Sequence, residues 1–432
     1  MQLQKGNPMK TLIKNGRLID PGAGRDGIYD VLIDGEMVAR VAEHIDEDAD
    51  TIIDAGNCFV VPGFVDLHVH LREPGFEYKE TIRTGTLAAA RGGYTSICPM
   101  ANTKPVTDSP ERIQWLVDKA NEDSVVHILP VGAVTLGMAG EELTDIAGMA
   151  KAGAVAISED GKSVMNSRLY KEALMAAKKA RIVVLDHAED CSLMGGAMNE
   201  GDVSKRLGIE GISADAEDLI TARDILLAKT TGAKLHICHC STKTSAKLIE
   251  IAKANNISVT AEVCPHHFTL TDEDIKADDG NYKMSPPLRS KEDKAALIKA
   301  LGNGTIDIIS TDHAPHHADE KTKGIKAAAF GIVGLETALS LTMTELVHQG
   351  LLTPYEMVSR MSYKPAKIIG IDKGSLAVGK VADVTIIDPD LEYEIKASDF
   401  FSKGRNTPFE GYKAKGKVLK TIVSGKVVYE NK

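Results

Sequence analysis

Residues 64–71 read Phe-Val-Asp-Leu-His-Val-His-Leu, a short apolar run that follows Gly63 and stops at Arg72-Glu73-Pro74-Gly75. Its length and its bounding turn residues mark it as a strand. Seven more runs of this kind lie downstream: TSIC, VVHILPV, AVAIS, IVVLDH, LHICHC, SVTAEV and IDIISTD. Between them are stretches with apolar residues near the helical period, among them ETIRTGTLAAAR, ERIQWLVDKAN, SRLYKEALMAAKKA, AEDLITARDILLAKT, TSAKLIEIAKAN and KEDKAALIKAL, with Gly or Asn near their ends. Eight strands alternating with helices over residues 63–371 predict an α/β fold, a (β/α)8 TIM-like barrel. The rival, an open doubly wound sheet, calls for a Gly-x-Gly-x-x-Gly turn after the first strand, and this chain has none there.

The chain's two ends have a different texture. From Thr11 to Val61 the pieces TLIKNGRLID, YDVLIDGEMVARV and TIIDAGNCFVVPG are broken by turn residues, and GKVADVTIIDP and KVLKTIVSGKVVYENK repeat that pattern near the C-terminus. Residues 1–62 and 372–432 are therefore expected to form one small β-sandwich domain. The 432 residues are 43% hydrophobic and 26% charged, which fits a globular chain. A formal net charge of -10 argues against a nucleic-acid or anionic membrane partner and favours a small-molecule substrate. No stretch is long and apolar enough to span a membrane, and the start lacks a signal-peptide core, so the expected location is cytoplasmic. The 6 scattered cysteines do not suggest a disulfide framework. The polar segment before Met9 is assigned no function.

In a barrel enzyme the reacting groups sit where the strands end. His68 and His70, two apart, share a face, which points both into the barrel and turns Val65, Leu67, Val69 and Leu71 toward the helices. Asp160 closes the fourth strand, His187 the fifth, His239 the sixth and Asp312 the eighth. Any one of them alone reads as a buried structural residue. Together, four histidines and two carboxylates at five strand ends suit one or two divalent ions, zinc first, with a position left for water. Arg72 follows His70 by two and points to the same mouth, where a guanidinium can grip a carboxylate; its plainer reading is a surface ion pair with Glu73 or another acid. Cys238, Cys240 and His236 have the parity opposite to His239 and are expected to face the helices, His236 as a core histidine. His266 and His267 are expected to orient neighbours, His317 and the Lys321–Lys326 region to be solvated, and Trp115 to be core. The polar loop from Ala314 to Ala329 has the length of a lid.

The motifs Val65-Asp66-Leu67-His68-Val69-His70-Leu71-Arg72-Glu73-Pro74-Gly75, Ser158-Glu159-Asp160-Gly161, Asp186-His187-Ala188-Glu189, His236-Ile237-Cys238-His239 and Ser310-Thr311-Asp312-His313-Ala314-Pro315-His316 resemble the amidohydrolase superfamily and, within it, the bacterial dihydroorotases. The resemblance spans almost the whole chain. It implies that His68, His70, Asp160, His187, His239 and Asp312 hold two zinc ions bridged by Asp160, or one ion. Relatives of the hydantoinase and dihydropyrimidinase branch bridge their metals with a carboxylated lysine where this chain has Asp160, and Lys162 lies past the strand and is not expected to be modified. The resemblance also implies that His70, Arg72, Asn102 and His316 meet substrate, the last three through its carboxylate. Phe330 and Gly331 match a backbone contact. Ser285 stands where the family usually has asparagine and resembles the hydantoinase branch there, and its backbone or hydroxyl is the expected contact with the substrate ring.

The implied reaction is the reversible interconversion of N-carbamoyl-L-aspartate and dihydroorotate in pyrimidine biosynthesis. Metal-activated water would open the ring amide, with Asp312 first general base and then general acid. Two rivals remain. A hydantoinase or allantoinase is disfavoured by Asp160 and Arg72, and a non-catalytic scaffold for aspartate transcarbamoylase by the retention of all six ligands. Homodimerisation and association with aspartate transcarbamoylase are compatible with the family.

Overall fold

The computed structural model describes residues 9–431, so the polar segment before Met9 lies outside the described residues. The barrel strands are β1 (Phe64–Val69), β2 (Tyr94–Pro99), β3 (His127–Ile128 and Val131–Ala133), β4 (Ala156–Ser158), β5 (Val183–Asp186), β6 (Leu235–Ile237), β7 (Val259–Val263) and β8 (Ile308–Ile309). All pair in parallel with their sequence neighbours. Pro130, which has no N–H to give a ladder, falls between the two pieces of β3; the first pairs with β2 and the second with β4. The ring closes past the end of β8. There the His70 N–H donates to the His313 carbonyl at 2.8 Å, Val69 bridges His313 in parallel, and the buried Asp66 carboxylate accepts the N–H groups of His68 at 3.0 Å and Thr311 at 3.2 Å.

All six of the expected helices quoted above form, over Ile82–Arg91, Pro110–Asp123, Ser167–Ala180, Asp215–Thr231, Lys243–Ala254 and Lys291–Gly302. Five start at a Ser, Thr or Asn side chain that accepts a first-turn N–H: Thr81, Ser109, Asn166, Thr242 and Ser290. Each such cap satisfies a donor that the helix itself leaves bare. Their apolar faces cover the outside of the barrel, where Val69, Ile97, Ile157, Val184, Ile237 and Ile309 meet Ala88, Ile113, Ala173, Ile220, Ile249 and Leu297. Trp115 departs from expectation: it is 41% exposed, on the solvent side of its helix, because Ile113 and Leu116 fill that helix's buried face.

The expected side-chain parity also needs correction. Val65 and Leu67 pack with Cys98, Val131, Ala156, Val183, Leu185, Cys238 and Ile308, in all residues of six strands, β1 included, and the position just past β6, and only the barrel interior brings those together. Val65, Leu67 and Cys238 thus point inward. The register of β1 against β2 slips between Asp66 and Val69, and that irregularity lets His68 and His70 face the mouth above an inward Leu67.

The two termini build one continuous eight-stranded sheet containing strands Lys10–Asp20, Arg25–Asp34, Met37–Ala42, Thr51–Asp54, Phe59–Pro62, Val384–Glu394, Lys413–Val423 and Lys426–Glu430. The expected sandwich takes the form of this sheet curled on itself, with the Val38 N–H reaching the Lys380 carbonyl at 2.9 Å. Ile13, Leu18, Val31, Val60, Val384 and Ile422 fill the curl, while the alternate residues Phe59, Val61, Ile387 and Val418 pack against the barrel. Between its strands Val384–Glu394 and Lys413–Val423 the chain leaves the sheet. Ile395, Phe400 and Phe409 then pack with Met284, Ile325, Ile332 and Val333 beside the barrel mouth.

Where the helix Ile82–Arg91 ends at Gly92, a Cβ would stand 2.0 Å from the Leu335 carbonyl oxygen. Backbone cannot yield as a side chain can. Gly92→Ala should lower unfolding free energy by about 1–3 kcal/mol, read from the denaturant midpoint; an unchanged midpoint would contradict this packing.

Candidate metal centre and substrate pocket

The six residues expected as ligands converge. His68 Nε2 lies 3.1 Å from Asp160 Oδ1 and 3.5 Å from Asp312 Oδ1, and His70 Nε2 lies 3.1 Å from Asp312 Oδ1 and 3.4 Å from Asp160 Oδ2. On the other side His187 Nδ1 is 3.3 Å from Asp160 Oδ1 and 2.8 Å from His239 Nε2. The two Asp160 oxygens are thus divided, Oδ2 toward His70 and Oδ1 toward His68, His187 and His239 at 3.8 Å. All six side chains are buried.

A cation fits this donor set. Nitrogen and oxygen donors about 2.0–2.2 Å from a tetrahedral ion stand roughly 3.3–3.6 Å apart along each edge of the polyhedron, close to most of the distances here. Although His68 Nε2 and Asp160 Oδ1 approach to 3.1 Å, neither has a hydrogen-bond partner, because both aim at a common point instead of at each other. Unpartnered buried polar atoms are costly unless something else satisfies them.

The supporting residues fix each imidazole. His68 Nδ1 faces Glu262 at 2.8 Å, His187 Nε2 faces Glu189 at 2.6 Å and His70 Nδ1 faces Asn102 Oδ1 at 3.0 Å. A ring whose outer nitrogen is held this way presents the other nitrogen as a ligand. Glu262 also meets His236 at 3.0 Å, so the core histidine expected there buttresses the centre. Burial opposes ionisation of Asp160, but the His68 charge and the close approach of the His187, His239 and His68 imidazoles hold it well below the usual carboxylate range. Asp312 is lowered too, where burial is outweighed by His68 and by the His70 hydrogen bond.

His239 and Asp312 lie two and three residues beyond their strands, at φ 33° and 48°, and Arg72 has φ 63°. Left-handed backbone at non-glycine residues is uncommon, and its cost is borne where function sets geometry. It also explains the misplacement of Cys238: strand parity no longer relates it to His239. Lys162 points away and donates to the Met138 carbonyl at 3.2 Å, outside the donor set.

Beside the centre a cleft is lined by His70, Arg72, Asn102, Asp160, Gly161, His187, His239, Ser285, Asp312, Ala314, His316, Phe330 and Gly331. Every residue expected at the substrate is in that wall. Arg72 is not a surface ion pair. Its Nε donates to the Pro315 carbonyl at 3.2 Å, while Glu73 accepts the Ile82 N–H instead. His316 Nε2 lies 2.8 Å from the Phe330 carbonyl, and Lys79 Nζ lies 3.3 Å from its Nδ1. Lys79 carried no sequence signal, since it sits in an irregular stretch seven residues past Arg72.

Three details refine the expectations. Ser285 Oγ lies 2.9 Å from the Glu189 carboxylate, so its hydroxyl is engaged there and its backbone is what remains for a substrate. Gly331 donates its N–H to the Lys283 carbonyl at 3.0 Å. Lys321, expected in solvent, is buried, and its ammonium reaches the carbonyls of Lys283, Ala329 and Gly331 at 3.0, 2.8 and 2.8 Å. The loop it anchors carries two short helices, Ala318–Lys321 and Gly324–Ala327, where an irregular lid was expected. His267 Nε2 meets the Pro286 carbonyl at 3.0 Å, and His317 is exposed, both in line with expectation.

Against this geometry the chain was compared with known proteins. Residues 57–245 match the Dihydro-orotase-like family and residues 209–429 the Amidohydrolase family. A dihydroorotase from Pelotomaculum thermopropionicum is 50% identical over 425 residues, covering 98% of this chain and 99% of that protein. The chain belongs to the dihydroorotase family. It is accordingly a metal-dependent cyclic amide hydrolase of the amidohydrolase superfamily, acting on a small molecule. A dihydroorotase from Citrifermentans bemidjiense is 49% identical over 98% of this chain and all of that protein. Among solved structures, L-hydantoinase (dihydropyrimidinase) from Arthrobacter aurescens superposes with a TM-score of 0.88 at 28% identity, covering 98% of this chain and 96% of that one. Dihydropyrimidinase from Brevibacillus agri NCHU1002 gives 0.85 at 26%, covering 98% and 95%. Among the described residues no helix is long and apolar enough to cross a membrane.

Burial, Arg72 and Lys79 push His316 down from 6.5 to about 2. Between those values the unfolded chain binds the extra proton, so this residue's contribution to stability is complete above about pH 6.5 and falls as the pH drops toward 2. The His316 ring should therefore show no titration by NMR between pH 5 and 8; a midpoint inside that range would refute this environment.

Proposed function

We propose that this pocket interconverts N-carbamoyl-L-aspartate and (S)-dihydroorotate in pyrimidine biosynthesis, with two zinc ions that Asp160 and the five donors around it would hold. The carrying observation is Arg72, a half-buried guanidinium without a carboxylate of its own at hydrogen-bond distance, in the same cleft as Asp312. A ring bearing one carboxylate fits that pairing, whereas hydantoins and dihydropyrimidines offer no such group. We also propose a cytoplasmic location and a division between barrel and terminal domain near residues 62/63 and 371/372. Homodimerisation and association with aspartate transcarbamoylase remain proposals from the family.

Divalent ions held by His68, His70, Asp160, His187, His239 and Asp312 would polarise the ring amide and lower the pKa of water. Arg72 then grips the substrate carboxylate in a charge-assisted pair. His316 stays neutral beside it, and Lys79 adds positive charge behind His316. Asp312, held ionised by His68 and His70, takes the proton of the attacking water on a carboxylate oxygen. As the C–N bond breaks, Asp312 gives that proton to the departing nitrogen. Ring closure runs the same transfers backwards.

Two variants test these roles. Arg72→Gln should raise KM for dihydroorotate roughly 10- to 100-fold, as loss of one charged hydrogen-bonding partner implies, while activity on a ring without a carboxylate changes little. Asp312→Asn should cut kcat by at least about 100-fold with most of the metal retained, measured by elemental analysis beside the assay. Wild-type protein that opens hydantoin and not dihydroorotate would overturn the reading.

A further inference from the structure

The segment Ser402–Thr407 belongs by sequence to the C-terminal domain, yet it turns Ser402, Gly404, Asn406 and Thr407 inward against the barrel mouth and leaves Lys403 and Arg405 exposed. Its first anchor is the Glu80 carboxylate, which accepts from the Ser402 hydroxyl and from the Lys403 N–H at 3.3 Å. Gly404 then passes so close to the loop after β8 that a Cβ there would stand 2.7 Å from Pro315 Cβ. That close approach delivers Asn406, only 3% exposed, beneath the two chain segments that form one wall of the substrate cleft.

Both hydrogens and the oxygen of the Asn406 side-chain amide are engaged on those segments. Its Oδ1 accepts the His316 N–H at 3.0 Å, and its Nδ2 donates to the Ala314 carbonyl at 2.9 Å and to the Gly331 carbonyl at 3.1 Å. Its own carbonyl accepts the Val333 N–H at 2.9 Å. The Gly331 carbonyl also receives the Lys321 ammonium, so two donors from different parts of the chain fix one pocket residue. Each connection leads to the substrate wall. The His316 main chain sets the imidazole that faces the Phe330 carbonyl, and Pro315, between the two residues Asn406 holds, supplies the carbonyl that accepts from Arg72.

We propose that Asn406 is a positioning residue for the substrate's carboxylate: it touches no reacting atom, but its amide locks the Ala314–His316 and Phe330–Gly331 segments in the register that places Arg72 and His316. This rests on the reading of Arg72 and His316 given above. Aspartate cannot replace it, since a carboxylate could accept from His316 but would face the Ala314 and Gly331 carbonyls with no proton to donate.

The test uses the full-length, metal-loaded protein and the variants Asn406→Ala and Asn406→Asp. Both should raise KM for dihydroorotate roughly tenfold or more with kcat within about threefold of wild type. Amide hydrogen exchange should accelerate in peptides covering 313–334 and stay unchanged in the β4–β6 peptides, and the His316 amide should lose protection in Asn406→Ala and keep more of it in Asn406→Asp. Unchanged KM with unchanged exchange overturns the proposal. So does a uniform rise in exchange with kcat falling as far as KM rises, which marks a merely structural residue. If the wild-type protein does not turn over dihydroorotate, the substrate reading fails by itself, and the exchange pattern still decides whether Asn406 fixes this wall.

Discussion

The constraint on which this molecule depends is the burial of two carboxylates, Asp160 and Asp312, at the floor of a cleft. An ionised carboxylate taken from water is strongly disfavoured unless compensating charge surrounds it. Here four imidazoles supply part of that compensation, and the unpartnered His68 Nε2 and Asp160 Oδ1 show where a cation supplies the rest. Because the six donors come from the ends of five strands, the condition can be met only when the barrel has closed. Catalytic geometry and barrel closure are therefore one requirement, expressed at the β1–β8 seam, where Asp66 accepts from Thr311 and His70 donates to His313.

The arrangement around the donors follows the same electrostatic logic outward. Glu262, Glu189 and Asn102 orient the imidazoles, and His236 and Ser285 engage two of those acids. On the substrate side of the cleft Arg72 offers a guanidinium with no carboxylate at hydrogen-bond distance, whereas Lys79 pairs with Glu320 at 2.8 Å and Lys321 is taken up by main-chain carbonyls. A carboxylate gripped by Arg72 beside the donor cluster fits orientation of the ring as well as its capture.

Much of this could be read from residue order. Short apolar runs alternating with helical periods imply the barrel, and the convergence of the six donor side chains was visible because metal chemistry restricts residue type and barrels restrict position. Side-chain direction was less legible. The prediction that Val65, Leu67 and Cys238 face outward failed because period-two reasoning assumes a regular strand, whereas β1 slips register and His239 lies past its strand with positive φ. Lys321 looked like one lysine of a polar loop, and nothing local reveals three carbonyls that gather around it from distant segments. Glu262 and Asn406 were hidden for the same reason: their partners are 23 or more residues away, so their roles exist only in the tertiary structure.

The excursion of residues 395–412 has a consequence for how the sequence divides its labour. All eight barrel strands and all six donors precede residue 313. The wall that faces the substrate is completed by Ser402 and Asn406, about 90 residues beyond the last of those donors. A change in the C-terminal segment can therefore alter how the cleft orients its substrate while every donor stays in place.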